Sequence, residues 1–188
     1  MQGIITMGFP KCGTTSLLEY LKKKYDIGVA RDKGFAGADI KDHISRREWC
    51  YLPFDEQIKR FKHEFGDPAD FKICFITRDP VERIWSGWEA WSHHYTGYSF
   101  EQYLNLKTGN YSGGLSYLGE VNPIEQVDYW KWITPWMKEY GSKVVEVYTL
   151  EGLRNHPDFP QTNSLKKSQV PENCRELVEK YLKKEKKS

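Results

Sequence analysis

Gly8 and Gly13 bracket four residues, Phe9, Pro10, Lys11 and Cys12, and Thr14 and Thr15 follow directly. Glycines at this interval, between an apolar run and a helix start, are the pattern of a loop that grips phosphate with backbone N–H groups and a helix N-terminus. The nucleotide-triphosphate form of the pattern, G-x-x-x-x-G-K-[ST], puts its lysine just after the second glycine. Here Thr14 holds that place and the nearby lysine, Lys11, lies inside the loop. The candidate anion contacts are the Lys11 ammonium and the amides of Cys12, Gly13, Thr14, Thr15 and Ser16. The competing reading is a tight strand-to-helix turn capped by threonine.

A second group follows the apolar run "FKICFIT". In "RDPVERIWS", Arg78 and Ser86 have seven residues between them. Arg78 is expected at a strand end and Ser86 about two turns into the next helix, where a guanidinium fork and a hydroxyl suit one further anion. The competing reading pairs Arg78 with Asp79 or Glu82.

The elements that must position these groups read as follows. "GIITMG" and "FKICFIT" are expected to be buried strands, and "KVVEVYTL" a third. Helices are expected over "TTSLLEYLKKKY", "FDEQIKRFKHEF" and "PVERIWSGWEAW", the last with Pro80 in its first turn. "SFEQYLNL" carries a Ser-x-x-Gln capping pattern. "PIEQVDYWKWITPWMKEY" reads as a long helix kinked at Pro135, and "PENCRELVEKYLKKE" as a final helix. Strands alternating with helices predict an α/β fold, a central and mostly parallel sheet flanked by helices. Ligands on such sheets bind at the carboxyl ends of the strands, where both loops fall.

The chain has 188 residues, expected to form a single domain over 1–188 with a frayed basic tail from 181 to 188. A net charge of +2 gives no case for nucleic-acid binding. No apolar run approaches a membrane span. Cys12, Cys50, Cys74 and Cys174 are widely spaced, which favours reduced thiols over a disulfide framework or zinc site. With a strand beginning almost at Met1, the expected location is cytoplasmic.

Together, "GFPKCGTTSL" and "ITRDPVERIWSGW" resemble the 5′-phosphosulfate loop and the 3′-phosphate motif, R-D-P-x-x-R plus a serine, of the sulfotransferases that use 3′-phosphoadenosine-5′-phosphosulfate (PAPS). "VVEVYTLEGL" and "TNSLKKS" are similar, more weakly, to that family's late strand and its Asn-x-Ser-basic segment. The resemblance implies a P-loop sulfotransferase architecture with PAPS as donor and 3′,5′-bisphosphoadenosine (PAP) as product. It implies sulfuryl transfer to the hydroxyl or amine of a small molecule, carbohydrate or peptide; the sulfate of such a donor carries little charge beside a triphosphate tail, so no metal is expected. The lysine's place then has a reason. Charge develops on the oxygen bridging sulfur and phosphorus, within the loop, and a cation is wanted there.

The family's general base lies between the two loops. "IKDHIS" fits its K-x-H-[LI] form through Lys41, His43 and Ile44. "ARDKGF" fits its K-E-x-x-F form conservatively, with Arg31 and Asp32. His43 is favoured because imidazole titrates near neutral pH, with Asp32 second and Asp42 behind it. His93 and His94 would edge an acceptor cleft, and Lys166 and Lys167 would reach a 3′-phosphate or, as is commoner for lysine, stay solvated. Ser16 stands where many relatives carry a tryptophan that stacks on adenine, which leaves Trp85, Trp88 or Tyr148 for that role or for the core. Two other functions fit the same residues. One is an atypical P-loop kinase with Asp79 holding Mg²⁺. The other is a PAPS- or PAP-binding module without catalysis.

Overall fold

Among the described residues three strands form one sheet, and the first two each run into a segment that carries candidate residues. The structure is a computed structural model and describes residues 3–9, 11–25, 52–92, 97–106, 122–160 and 169–185. Strand β1 is Gly3–Gly8, β2 is Phe71–Thr77 and β3 is Val145–Thr149. They lie in the order β1-β2-β3, all parallel, with Gly8 opposite Ile76 and Thr77 opposite Thr149. Parallel neighbours need crossover connections, and the helices between the strands supply them. The α/β fold with a parallel sheet and flanking helices is therefore as the sequence predicts.

Contacts divide the chain into two compact units, Met1–Arg78 with Tyr129–Leu165, and Asp79–Asp128 with Lys166–Ser188. The first holds the sheet. Ile4, Phe75, Ile73 and Ile76 are almost wholly buried, as expected of strands covered on both faces. Helix α1, Thr14–Lys24, packs on β1 and β2 through a face that includes Leu17 and Leu21. Its last turn carries Lys22, Lys23 and Lys24, the charge that complements a helix C-terminus. Helix α2, Phe54–Phe65, buries Phe61 against Phe71 and Trp136, with ring centroids 5.7 Å away in each case. Gln57 is buried with both ends of its amide engaged. Its Nε2 donates to the Leu52 carbonyl at 2.8 Å, and its Oε1 accepts from the Trp136 indole at 2.8 Å.

Two sequence expectations change. The strand read as buried, β3, has only Val145 fully buried; Glu146, Val147 and Tyr148 are partly exposed and Thr149 is exposed. It is a half-covered strand whose Glu146 and Tyr148 meet Lys24, Tyr25 and Lys72. The helix read from Pro123 begins instead at Tyr129, because Asn122 turns the chain by accepting from the Ile124 amide at 2.7 Å and a short 3₁₀ turn follows at Glu125–Val127. Its non-helical backbone lies at Gly141 (φ 67°), not at Pro135. Glycine adopts that dihedral without a Cβ clash. This helix, Tyr129–Val144, packs on β2 and β3.

In the second unit, helix α3 is Pro80–Gly87, and the chain then widens into a π-type turn at Trp88–Ser92, so the long helix read through Trp91 is α-helical only to Gly87. A short helix, Phe100–Leu104, starts at the predicted capping box: the Gln102 amide donates to Ser99 Oγ at 3.2 Å, and the Ser99 amide to Gln102 Oε1 at 2.8 Å. The final helix runs Glu172–Glu185, over the segment read as a final helix. The Tyr181 hydroxyl holds that end by donating to Asn105 Oδ1 at 2.7 Å. Among the described residues no helix is long and apolar enough to cross a membrane, and Cys12, Cys74 and Cys174 are free thiols.

Candidate functional site

The loop between β1 and α1 is held by a turn that its sequence does not favour. The Cys12 amide donates to the Phe9 carbonyl at 3.2 Å, closing a four-residue turn whose third residue is Lys11. Lys11 has φ 66°, the one positive value among the described non-glycine residues. A turn of this hand prefers glycine or asparagine at its third position. Lysine there carries backbone strain of order 1–3 kcal/mol, which persists only where surrounding contacts enforce it. Gly13 follows as the N-cap of α1 with φ 93°. Having no side chain, Gly13 cannot cap the helix, and the Thr-capped turn of the competing reading is not formed. Thr14 and Ser16 are buried, whereas Lys11, Gly13 and Thr15 are half-exposed.

Behind the loop stands an aromatic wall. Phe9 and Cys12 are fully buried. The Phe9 ring lies 4.9 Å from Tyr129 and 6.3 Å from Phe75, and the Cys12 thiol donates to the Tyr129 hydroxyl at 3.5 Å. Cys12 therefore faces the interior with its side chain, and its amide is engaged within the turn. Phe9 and Tyr129 were not legible as loop supports. Tyr129 is distant in sequence, and the only local signal is an aromatic residue within a glycine-bounded loop.

Arg78 leaves β2 just beyond the register pair Gly8–Ile76, which brings it beside the loop. It is 3% exposed, and its Nη1 donates to the Lys11 carbonyl at 3.1 Å. Arg78 and Lys11, read in sequence as parts of two separate motifs, thus meet. Asp79 is the N-cap of α3, its carboxylate accepting from the Glu82 amide at 2.9 Å. Arg83, the second arginine of R-D-P-x-x-R, is fully buried and donates through Nη2 to Gln126 Oε1, a tie between α3 and the 3₁₀ turn. Ser86 is buried on α3. Of the aromatic candidates for adenine, Trp85 and Trp88 lie 4.8 Å apart and both contact Phe100. Tyr148 is committed to Glu146 and accepts from Lys24 at 2.8 Å. His43, Asp32, Asp42, His93, His94, Lys166 and Lys167 lie outside the described residues.

No protein-family model matches the sequence, nor does any curated protein. Among solved structures, the chain is similar to a sulfotransferase from Alicyclobacillus acidocaldarius, with a TM-score of 0.55 and 16% sequence identity over 96% of this chain and 90% of that one. The likeness is one of fold, and it extends along nearly the whole of both chains.

Proposed function

We propose that this protein is a sulfotransferase that moves a sulfuryl group from PAPS to a hydroxyl or amine acceptor. One observation carries the reading: Lys11 stands inside a loop between a strand end and an N-terminus with no capping side chain, and the Arg78 guanidinium is seated on that loop. The shared fold with a sulfotransferase supports it. The donor set fits a phosphosulfate: first-turn amides, one ammonium and one guanidinium offer hydrogen bonds and positive charge.

When bound, the donor supplies the sulfuryl group, and its phosphate oxygen leaves with the electron pair of the broken S–O bond. Lys11 stabilises the negative charge gathering on that oxygen. The amides at the start of α1 hold the 5′-phosphate. On the sequence motif, Arg78 and Ser86 bind the 3′-phosphate. A base takes the acceptor proton as the new S–O or S–N bond forms, and His43 is the first candidate, with Asp32 the second.

Calorimetry against PAP in the presence of a chelator, and against ATP with Mg²⁺, tests the reading. PAP is expected to bind without metal and more tightly than Mg-ATP. A preference for Mg-ATP would point to phosphoryl transfer, which the capping role of Asp79 already disfavours. PAP binding with no transfer of label from PAPS to a panel of alcohols, phenols, sugars, amines and tyrosyl peptides would identify a binding module instead.

A further inference from the structure

We infer that Arg78 is a positioning residue for Lys11: its guanidinium, bonded to the Lys11 carbonyl, holds the strained turn that presents the lysine. Three observations at one turn carry it. Lys11 has the dihedral of a glycine position. The turn around it is closed by the Cys12 amide on the Phe9 carbonyl. The Lys11 carbonyl, whose direction is set by that same turn, accepts from Arg78 Nη1 at 3.1 Å, and Arg78 is 3% exposed. A charge-assisted hydrogen bond in a site sheltered from water is strong enough to decide between two backbone conformations of one residue. Arginine suits the task because its planar fork can direct one N–H to a carbonyl while others face an anion.

The consequence is a link between two functions that the sequence motifs keep apart. An anion drawn to Arg78 fixes the guanidinium, and a fixed guanidinium fixes the Lys11 backbone. The catalytic side of this inference rests on the sulfotransferase reading; the structural side does not.

The test therefore has two arms. In the first, amide hydrogen exchange is measured on ligand-free wild type and Arg78→Met. Exchange of the Cys12 amide is expected to quicken by ~10- to 100-fold, the factor for losing one charge-assisted hydrogen bond, while amides in β2 hold their protection. The same substitution made on a Lys11→Gly background is expected to change Cys12 exchange much less, since glycine takes the turn unaided. Unchanged Cys12 exchange in Arg78→Met, or an equal effect on both backgrounds, would overturn the inference. If Arg78→Met does not fold, Arg78→Lys, which keeps the charge and loses the fork, serves in its place.

The second arm measures turnover with PAPS and with adenosine 5′-phosphosulfate, which lacks the 3′-phosphate. A positioning role lowers kcat in Arg78→Lys by the same factor with both donors. A residue that only reads the 3′-phosphate affects KM, and for PAPS alone. That second pattern would overturn the inference and leave the sulfotransferase reading intact. Wild type inactive with both donors would overturn the functional reading, and the exchange arm would still decide the structural one.

Discussion

Lys11 combines an unfavourable backbone with a charged side chain, and that combination makes it the residue on which the functional reading is most exposed to test. Lys11→Ala keeps the Cβ, so the turn's strain and the Arg78 contact remain while the ammonium is removed. Turnover is expected to fall by ~10²–10³, the usual cost of one preorganised charge stabiliser. PAP affinity should fall much less, because the helix-start amides are unchanged. Near-normal turnover in single-turnover assays would remove Lys11 from the chemistry. The base is tested by a matched pair. His43→Ala is expected to slow the chemical step by ~10²–10⁴ with PAP affinity retained. The wild-type rate should rise with pH through an apparent pKa near 6.5, the ordinary imidazole value. A rising limb at lower pH, with Asp32→Asn as the crippled variant, would transfer the role to Asp32.

At the scale of elements, the half-covered strand β3 carries the clearest pH dependence. Glu146 in β3 is held by the hydroxyls of Tyr25 at 3.2 Å and of Tyr148, and by Lys72 at 3.3 Å and Lys24 at 3.7 Å. Burial pushes its pKa up, but the Tyr148 hydroxyl and the two ammonium groups outweigh that and hold it below the ordinary value. A carboxyl depressed on folding stabilises the fold above its unfolded pKa, and that stabilisation is lost as pH falls through the folded value. Lys24 behaves in the opposite sense. Burial lowers its pKa, Glu146 together with Tyr25 and Tyr20 more than restores it, and the net rise means that its contribution fades only at strongly alkaline pH. Glu146→Gln is therefore expected to lower Tm at neutral pH by about 2–4 °C, the shift for ~1 kcal/mol in a chain of this size. The difference from wild type should shrink as pH drops below about 4.3, the ordinary glutamate value. Calorimetric melting from pH 3 to 8 checks this, and a difference that persists undiminished at pH 3 would assign the effect to packing. Nearby Cys74 is pushed up to about 12 by burial, so it stays a neutral thiol throughout that range.

Across the whole molecule, what the sequence determined by itself was the local part. The glycine interval and the helix start at Thr14 follow from short-range sterics, so the loop could be read directly. So could α2, the Ser99 capping box and the first two strands, because apolar periodicity and turn chemistry act within a few residues. The alternation of these elements was enough to predict a parallel α/β sheet. Where reading by pattern failed, a neighbour distant in sequence or a local side-chain bond intervened. β3 turns Glu146 and Tyr148 toward Lys24, Tyr25 and Lys72 rather than into the core, and the helix expected from Pro123 starts later because Asn122 turns the chain. The tertiary structure alone decided which groups meet. Arg78 and Lys11 are 67 positions apart, Trp136 and Gln57 are 79 apart, and Tyr129 and Cys12 are 117 apart. Each residue type was visible, but its partner was not, because strand register and helix packing bring such pairs together and neither is encoded by any short stretch of chain. That is why the sequence showed a glycine-bounded loop and a separate arginine motif, while only the fold placed the arginine on the carbonyl of the lysine.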